Sequence, residues 1–409
     1  MSRSGLMIWV LGAVGASVVG GTAGAQCQYQ STASVAASFP CGWPYSPELF
    51  GAEALSNTGQ VVGHRRTCPP DYYSSIALTW TPGSPIQELP VPADVTSAKA
   101  WDVNDSGMIV GGFYTAIKHN WGCVWTDQGF VEIPPAPGGD FCTPYAVNSS
   151  GLVVGERGYE LGSRPFIWDA GSIVEIGPGP LETGRAWDVS DSGYVVGYIG
   201  WSVTNIQAFR WKDGVLEILP PLPGAVGADA RAVNSSGWTA GRSYMALPGG
   251  GYKGVVTLWV ESTPVELPSI PGFPVGLPQW INDQGVIVGT VEALPGSTPA
   301  PRGVLWTNGQ VYQLRSLIPE VWPNYFYALG FNDQGELLGY APPGGVPTLT
   351  IYSPIASSPG DITGDCHVDG RDLGLLLANW GAAGGLADAN ADGIVDGADL
   401  AAIVDSWTW

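Results

Sequence analysis

Two acidic loops near the C-terminus carry oxygen-bearing residues at matching intervals. Positions 1, 3, 5, 9 and 12 of each loop are Asp, Asn or Thr, and position 7 can supply its backbone carbonyl. The predicted ligands are Asp361, Thr363, Asp365, His367, Asp369 and Asp372 in the first loop, and Asp388, Asn390, Asp392, Ile394, Asp396 and Asp399 in the second. Alternate positions of a tight loop can all point inward, and calcium prefers about six to eight oxygen ligands. The spacing therefore predicts two bound calcium ions.

The composition around the loops supports this interpretation. Residues 361–409 contain nine Asp and one Arg, a net charge of −8, and an apolar helical pattern ending at Trp380 or Trp407 follows each loop. An ordinary acidic tail would not repeat matched ligand sets, and without calcium the charges should unfold the segment. Two features depart from the usual EF-hand loop. Cys366 stands at position 6, where Gly is expected, and Asp stands at position 12 instead of Glu.

The duplicated loop and helix resemble a type I dockerin over about 49 residues. The resemblance implies a small all-α, EF-hand-like domain that binds two calcium ions and docks onto a cohesin-type protein or a cell-surface scaffold. In that family positions 10 and 11 read the cohesin. Here they are Gly370-Arg371 and Gly397-Ala398, which lack the hydroxyl groups of well-studied dockerins. The identity of the partner is therefore open.

The remainder of the chain must consist of short strands and turns. The 409 residues include 59 Gly and 35 Pro, too many for long helices, while 45% hydrophobic residues with 18 Trp exclude a disordered chain. A motif of the form apolar–[Asn/Ser]–x–x–Gly–x–x–x–Gly recurs seven times at spacings of 42 to 50 residues, and an aromatic residue follows each copy. The first Gly of the copies is Gly59, Gly107, Gly151, Gly193, Gly237, Gly285 and Gly335.

Each copy predicts four short strands. In the second copy these are 100–104, 108–113, 122–125 and 130–133, and the turn Asn104-Asp105-Ser106-Gly107 joins the first two. A four-stranded repeat of about 46 residues is typical of a propeller blade, so the predicted fold is mainly β, a seven-bladed β-propeller. The seventh copy lacks a fourth strand, and residues 28–37 could fill that edge and close the ring. An open row of blades is the alternative, but it would expose sheet edges.

The repeat also resembles the extracellular HAF-repeat family. The match is carried by Ala208-Phe209-Arg210-Trp211 and more loosely by Pro165-Phe166-Ile167-Trp168, and no copy has the His that precedes Ala-Phe in that family. The resemblance covers residues 50–355. It implies an exported, propeller-like β-repeat domain and assigns no chemistry to it.

One position of the innermost strand differs from copy to copy, six residues before the first Gly. A variable position in a fixed frame is where recognition could occur. Trp101, Tyr145 and Trp187 are predicted to form an aromatic arc for sugars or apolar ligands, with Arg231 beside it. The alternative is that these side chains fill the centre of the ring. The seven residues are Glu53, Trp101, Tyr145, Trp187, Arg231, Gln279 and Leu329.

Two acids offer a second possibility for chemistry. Asp102 and Asp188 occupy equivalent places in their copies, and two carboxyls about 5–9 Å apart would suit glycoside hydrolysis. Capping of turns is the alternative role. The chain has three His and no Gly-x-Ser-x-Gly, phosphate-loop or His-x-x-x-His motif, so no catalytic residue is predicted. Enzymatic activity stays open, and would be that of a glycoside hydrolase or polysaccharide lyase.

The N-terminus predicts export. Arg3, an apolar stretch to Val19 and a small-residue site at Ala23-Gly24-Ala25 are typical of a secretory signal peptide over residues 1–25. The apolar stretch is too short and too rich in Gly to span a membrane. We therefore expect a secreted protein, extracellular or associated with the cell surface, and no membrane span.

The six Cys favour disulfides in that compartment. Their spacing suggests a bond between Cys123 and Cys142 and pairing among Cys27, Cys41 and Cys68, with Cys366 left alone.

The expected organisation is a signal peptide (1–25), a seven-repeat propeller (26–355), a linker (356–360) and a dockerin-like domain (361–409). The net charge of −20 argues against nucleic acid as a partner. The sequence favours a non-catalytic binding or display protein, for polysaccharide or another surface protein, tethered through its calcium module. One alternative is a carbohydrate-active enzyme that its dockerin delivers to polysaccharide for catabolism. Another is a structural protein in which the calcium module is a stabilising clip.

Overall fold

The structure is a computed structural model that describes residues 29–36, 38–39, 48–49, 51–66, 74–159, 162–177, 183–294, 300–318, 327–341, 348–355, 360, 362, 368, 370–383, 387–390 and 392–407. The described residues fall into two compact units. Residues 31–315 and 320–352 belong to the larger unit, and the C-terminal residues from Ser353 belong to the smaller one. The predicted signal peptide lies outside the described residues.

Six four-stranded sheets follow one another along the larger unit, each with its strands in sequence order. Blades one to three consist of β4 (Gly51–Leu55), β5 (Val61–Arg66), β6 (Ser75–Trp80), β7 (Gln87–Glu88); β8 (Ser97–Val103), β9 (Ile109–Tyr114), β10 (Trp121–Thr126), β11 (Gly129–Ile133); and β12 (Cys142–Val147), β13 (Val153–Tyr159), β14 (Gly162–Asp169), β15 (Ser172–Glu175). Blades four to six consist of β16 (Gly184–Val189), β17 (Val195–Ile199), β18 (Gln207–Lys212), β19 (Val215–Leu219); β20 (Ala228–Val233), β21 (Thr239–Ala246), β22 (Tyr252–Val260), β23 (Thr263–Glu266); and β24 (Val275–Ile281), β25 (Ile287–Glu292), β26 (Arg302–Thr307), β27 (Gln310–Gln313).

The seventh blade combines the two ends of the repeat region. Its strands are β28 (Gly330–Phe331), β29 (Leu337–Ala341), β30 (Thr348–Pro354) and, beside β30, β1 (Tyr29–Ala36). The hydroxyl of Thr32 donates to the carbonyl of Ile351 at 3.3 Å. β28 in turn packs against β4 of blade one. The predicted seven-bladed propeller and its closure by the N-terminal segment are confirmed. A small separate sheet pairs β2 (Ser38–Phe39) with β3 (Glu48–Leu49).

The Asn of the repeat motif explains both the turn and the joint between blades. Oδ1 of Asn104 accepts from the amides of Ser106 and Met108 at 3.1 and 2.9 Å, which holds the turn. Its Nδ2 donates to the carbonyl of Asn148 in the next blade at 2.8 Å. Gly107 completes the turn with φ of +83°, a conformation that favours Gly. The same two roles are played by Asn148, Asn234 and Asn332.

The aromatic residue that follows each motif anchors the core. Trp125 is buried and its indole N–H donates to the carbonyl of Pro90 at 2.8 Å, so its polar group is satisfied. Trp259 and Trp306 make the equivalent bond to a proline carbonyl. Apart from the half-buried Trp211, the other members of the series are also buried: Trp80, Trp168 and Tyr352.

The predicted disulfide between Cys123 and Cys142 is not formed. Both residues are free thiols, completely buried in the apolar cores of neighbouring blades. Burial raises the pKa of both thiols, that of Cys142 to about 12. Inert, protonated thiols are therefore expected here. Cys27, Cys41, Cys68 and Cys366 lie outside the described residues.

Three short helices are described: α1 (Leu314–Leu317) after β27, then α2 (Gly370–Ala378) and α3 (Gly397–Asp405) after the two acidic loops. α2 and α3 lie where the apolar patterns predicted helices. A small core joins them, built from Ile362, Val368, Leu376, Val395 and Ile403. None of the described helices has the length and apolar character needed to cross a membrane.

Candidate functional site

The innermost strand of six blades has a β-bulge at the variable position. In β8 the pairing register shifts between Ala100 and Asp102, so Trp101 is the extra residue. A bulge re-aims the side chain of the extra residue relative to the regular strand. The equivalent extra residues are Glu53, Tyr145, Trp187, Arg231 and Gln279. Leu329 directly precedes the short β28.

The second Gly of the motif makes room for the bulge. A Cβ at Gly111 would lie 2.0 Å from the carbonyl oxygen of Lys99, two residues before the bulged Trp101. No side chain fits there without moving the backbone. The same clash, at 1.8 to 2.2 Å, would occur at Gly63, Gly155, Gly197, Gly241 and Gly289. The repeat motif therefore builds a bulge into each of these blades, and each bulge presents one variable side chain.

The bulged side chains line one cavity of about 280 Å³, the aromatic cavity. It brings together all four residues predicted from the sequence to bind a ligand. The lining residues are Glu53, Trp101, Tyr145, Trp187, Arg231, Leu277, Pro278, Gln279 and Trp280. The aromatic side chains among them are half-buried and leave space between them. They therefore line the cavity and do not fill it.

The bulged aromatic side chains come from blades two, three and four, and Arg231 follows them in blade five. The rings of Tyr145 and Trp187 lie 4.7 Å apart between centroids, tilted by 42°. The guanidinium carbon of Arg231 lies 4.6 Å from the ring centroid of Trp187, within cation–π range. The indole N–H groups of Trp101 and Trp187 are buried and find no hydrogen-bond partner among the described residues. Buried donors of this kind are uncommon in proteins.

Arg231 is fixed by a fully buried carboxylate. Its Nε donates to Oδ2 of Asp229 at 2.6 Å, and Arg242 reaches both oxygens of Asp229 at 3.1 and 2.9 Å. Burial alone would raise the pKa of Asp229, but the two guanidinium charges outweigh it and hold that pKa below its usual value. Asp229 is therefore an anion shared by two cations.

Glu53 and His64 form a weakly coupled pair at another part of the lining. Nδ1 of His64 lies 3.6 Å from Oε1 of Glu53, and the imidazole meets Trp101 edge-on at 5.8 Å. Burial raises the pKa of Glu53 to about 7, although Lys99 opposes the shift. Burial, Lys99 and Arg66 lower the pKa of His64 to about 4. Near neutral pH the imidazole is therefore uncharged, and the carboxyl of Glu53 changes between its protonated and its ionised form.

Tyr145 is held in place by a buried acid. Its hydroxyl donates to Oε1 of Glu156 at 2.6 Å, and Arg185 pairs with Oε2 of Glu156 at 2.9 Å. The guanidinium of Arg185 also lies 5.3 Å from the Trp187 ring. Burial raises the pKa of Tyr145, and the charge of Glu156 raises it further. The phenol is therefore neutral and rigid.

A second cavity of about 160 Å³, the acidic cavity, is lined by the inner turns of the blades. Trp280 contributes to both cavities. None of the described residues that line the acidic cavity is Lys or Arg. Its six acidic residues are Asp102, Asp105, Asp188, Asp191, Asp283 and Asp333.

Asp102 and Asp188 thus share a cavity, and each also joins two blades. Oδ2 of Asp102 accepts from the amide of Val147, and Oδ2 of Asp188 accepts from the amide of Val233, both at 2.8 Å. Burial raises the pKa of Asp102 to about 7 and of Asp188 to about 6, against the opposing effect of these amides. A protonated carboxyl could act as a general acid, but one oxygen of each already serves the joint between blades.

The remaining acids of this cavity belong to the turns. Oδ1 of Asp105 accepts from the amide of Asn57 at 2.7 Å, and Oδ1 of Asp191 accepts from the amide of Ser149 at 2.8 Å. Asp283 accepts from Ser235 in the same way. These hydrogen bonds link neighbouring blades. They give the carboxylates a structural role that does not require a bound ligand.

The second acidic loop winds around the carboxylate of Asp399. Oδ1 of that residue accepts from the amide of Asn390 at 3.1 Å, and Oδ2 from the amide of Asp396 at 2.8 Å. These amides hold the pKa of Asp399 below its usual value. Both oxygens of Asp388 accept amides from the far side of the loop, those of Asp392 and Gly393. Gly393, at position 6, has φ of +95°.

Most of the first acidic loop lies outside the described residues. Asp361, Thr363, Asp365, His367 and Asp369 lie outside the described residues, and Asp372 is buried. Among the residues that are described, no group of three or more His, Cys, Asp or Glu is arranged to hold a metal ion.

Several residues around the aromatic cavity were not predicted from the sequence. Lys99, His64, Glu156 and Asp229 stand one strand or two residues away from the bulges that they support. Their positions along β5, β8, β13 and β20 follow the same alternation as ordinary solvent-facing residues. The pattern of variable positions included Glu53, but the sequence did not indicate that burial raises its pKa.

Comparison with known proteins finds similar solved structures and no family. No protein-family model and no curated protein matches the chain. The β-propeller domain of the Trilobed protease from Pyrococcus furiosus aligns with a TM-score of 0.47 and 11% identity, over 74% of this chain and 94% of that one. Acylaminoacyl peptidase from Pyrococcus horikoshii aligns with a TM-score of 0.49 and 12% identity, over 75% of this chain and 52% of that one. Prolyl oligopeptidase B from Galerina marginata aligns with a TM-score of 0.48 and 10% identity, over 78% of this chain and 47% of that one. The chain thus spans about half the length of these two peptidases.

Proposed function

We propose that the protein is an exported, non-catalytic propeller that binds a carbohydrate in its aromatic cavity and is tethered through a calcium-dependent C-terminal module. The tether would be of the dockerin type, with a cohesin-type protein or cell-surface scaffold as partner. Export, the HAF-repeat relationship, the domain boundaries and the partner rest on the sequence. The carbohydrate rests on the site.

The observation that carries the proposal is the cavity lined by bulged residues. Repeated glycines make the backbone at these positions uniform, while the side chains presented there differ from blade to blade. Trp101, Tyr145 and Trp187 offer rings against which the apolar face of a sugar can stack. Glu53 and Gln279 line another part of the cavity and can bond to hydroxyl groups. Aromatic surface with a few polar groups is the usual composition of a small-ligand site.

The alternative function is glycoside hydrolysis by the acid pair. It is favoured by one observation, that Asp102 and Asp188 line the same cavity with raised pKa values. Against it, both carboxyls bond to a neighbouring blade, and the aromatic side chains lie mainly in the other cavity. Binding without turnover accounts for more of the structure.

The calcium module is supported by the geometry of the second loop. A Gly with positive φ at position 6 and a capping carboxylate at position 12 are features of a calcium-binding loop. The ion would be held by side chains of Asp388, Asn390, Asp392, Asp396 and Asp399 with the carbonyl of Ile394. Bound calcium would neutralise charge that otherwise repels within the module. The first loop is proposed from its spacing alone. If both ions stabilise the chain without a partner, the clip alternative holds.

Titration calorimetry with the full chain in calcium tests the proposal. Glucose, galactose, glucuronic acid and galacturonic acid serve as probes, together with their short oligomers. We expect at least one to bind, and Trp187→Leu to weaken it by about 10-fold or more because a stacked ring is lost. Trp201→Leu is the matched control, since Trp201 is 58% exposed and does not line the cavity. If no probe binds, or if both variants behave alike, the proposal fails.

The same samples distinguish binding from hydrolysis. Polysaccharide is incubated with the protein and new reducing ends are measured. We expect none. Reducing ends that appear with the natural chain and disappear when Asp102→Asn and Asp188→Asn are combined would establish the enzyme.

A further inference from the structure

The aromatic cavity has an excess of positive charge in a strongly acidic chain. Arg231 and Glu53 line the cavity itself. The side chains that contact lining residues or Asp229 include Lys99, Arg185 and Arg242 on the positive side and Glu156 and Asp229 on the negative side. The acidic cavity has six Asp and no Lys or Arg among its described lining residues. The chain as a whole carries −20. A local reversal of sign inside a concave site attracts an anion.

Arg231 is the group in this lining that is best placed to bind an anion. Its Nε is bonded to Asp229, but its two terminal nitrogens have no hydrogen-bond partner among the described residues. Its side chain is 23% exposed, and Arg242 supplies Asp229 with a second cation. A guanidinium offers parallel N–H groups that match the two oxygens of a carboxylate. The terminal nitrogens of Arg231 are therefore available for a ligand.

The rest of the lining determines what carries the carboxylate. Trp101, Tyr145 and Trp187 favour a ring with an apolar face, and the polar side chains of Glu53 and Gln279 favour hydroxyl groups. The volume of the cavity, about 280 Å³, is just below the range of about 300–1,000 Å³ that is usual for ligand sites. Such a space suits one sugar ring better than a long segment of chain.

Given the proposed carbohydrate-binding function, we propose that the ligand is an acidic saccharide with a terminal uronic acid, whose carboxylate is bound by the terminal nitrogens of Arg231. The sugar ring lies against the aromatic side chains of the cavity. Specificity then comes from one charged contact, because a neutral sugar leaves the Arg231 nitrogens without a partner.

Calorimetric titration of the full chain with matched ligands tests this inference. The probes are galacturonic acid, its methyl ester and galactose, which share a ring and differ in charge, together with the equivalent set based on glucose. We expect the better of the two acids to bind about 10-fold or more tightly than its ester and its neutral sugar, since an ionic hydrogen-bonded pair is lost.

Variants of Arg231 assign the preference to one side chain. Arg231→Gln should reduce acid binding to the level of the ester and change neutral-sugar binding much less. Arg231→Lys keeps the charge and should recover part of the preference, because a single ammonium cannot form the two parallel bonds. Arg164→Gln is the control. Arg164 pairs with Glu175 and stacks on Tyr159, away from the cavity lining.

The outcomes separate the two proposals. Equal affinity for acid, ester and neutral sugar, lost in Trp187→Leu, would overturn the acidic ligand and leave the carbohydrate-binding function standing. A preference for the acid that survives Arg231→Gln would overturn the role of Arg231. Absence of binding by every sugar would overturn both.

Discussion

Asn57 and Asp333, 276 residues apart, hold each other by two hydrogen bonds. The amide of Asp333 donates to Oδ1 of Asn57 at 2.8 Å, and Nδ2 of Asn57 donates to Oδ2 of Asp333 at 3.2 Å. The same Nδ2 reaches Oδ2 of Asp105 at 2.9 Å. One amide side chain in the first blade therefore joins the blades on both sides of it, where the ring closes.

Removal of this side chain should loosen the closure. We expect Asn57→Ala to reduce the free energy of unfolding by about 1–3 kcal/mol, because the amide of Asp333 loses its acceptor and the carboxylates lose a donor. Urea denaturation followed by tryptophan fluorescence measures the change. Gln128→Ala, in an exposed turn of blade two, is the control. Equal losses in the two variants would remove Asn57 from the closure.

Deletion of residues 26–45, which include β1, should destabilise the entire propeller. The deletion exposes the edge of β30 in the seventh blade, and a ring with an open edge unfolds more easily. We expect a large fall in the thermal midpoint of the whole near-ultraviolet circular dichroism signal. A synthetic peptide of residues 29–36 should restore part of it by adding the strand back. A loss confined to a small early transition would instead mean that only the seventh blade depends on β1.

Asp102 and Asp188 should make the propeller less stable as the pH rises. Their folded pKa values, about 7 and about 6, are above the unfolded value of 3.8. Between about pH 4 and pH 7 the folded state therefore binds more protons than the unfolded state. Their contribution to stability is therefore complete below about pH 4 and is lost by about pH 7. Combining Asp102→Asn with Asp188→Asn should flatten this fall while leaving acceptors for the Val147 and Val233 amides. Unfolding midpoints across this range, with the exposed Asp127→Asn as control, measure it.

Glu53 should make binding of an acidic sugar dependent on pH. Its carboxyl faces His64, Lys99 and Tyr340, and its pKa is about 7. His64, with a pKa of about 4, stays neutral across this range. Above about pH 7 Glu53 becomes an anion in the cavity, so the affinity for an uronic acid should fall by several-fold between about pH 6 and pH 8. Glu53→Gln should remove this dependence, and the affinity for a neutral sugar should show little of it.

Calcium should be required for the order of the C-terminal module. We expect EDTA to reduce the helical circular dichroism signal of the full chain, since the loop carboxylates then repel each other. Asp399→Ala should eliminate one of two calorimetric calcium sites, because this buried carboxylate holds the amides of Asn390 and Asp396. Asp405→Ala is the control, as Asp405 is exposed at the end of α3. An unchanged spectrum in EDTA would contradict the prediction.

The repeat was readable from the sequence because each landmark serves a local constraint. Gly107 is needed for a turn, Gly111 for the close approach of a carbonyl, and Trp125 for the core, so their spacing reveals a blade. The variable position was also found from the sequence, but its β-bulge was not. A bulge is defined by the pairing of one strand with its neighbour, and the sequence of a single strand does not contain that pairing. The contacts of Asp229 with Arg231 and Arg242 depend on the pairing of two strands, and no pattern along the chain reveals them.

The pairing of β1 with β30 has a kinetic consequence. Thr32 and Ile351 are separated by 319 residues, so the last blade cannot form until almost all of the propeller sequence is present. Contacts over such distances slow folding, and incomplete sheets attract other chains meanwhile. During synthesis from the N-terminus, the strand made first must wait for the strand made last. The protein is therefore expected to depend on chaperones before its ring is complete, and to unfold slowly afterwards.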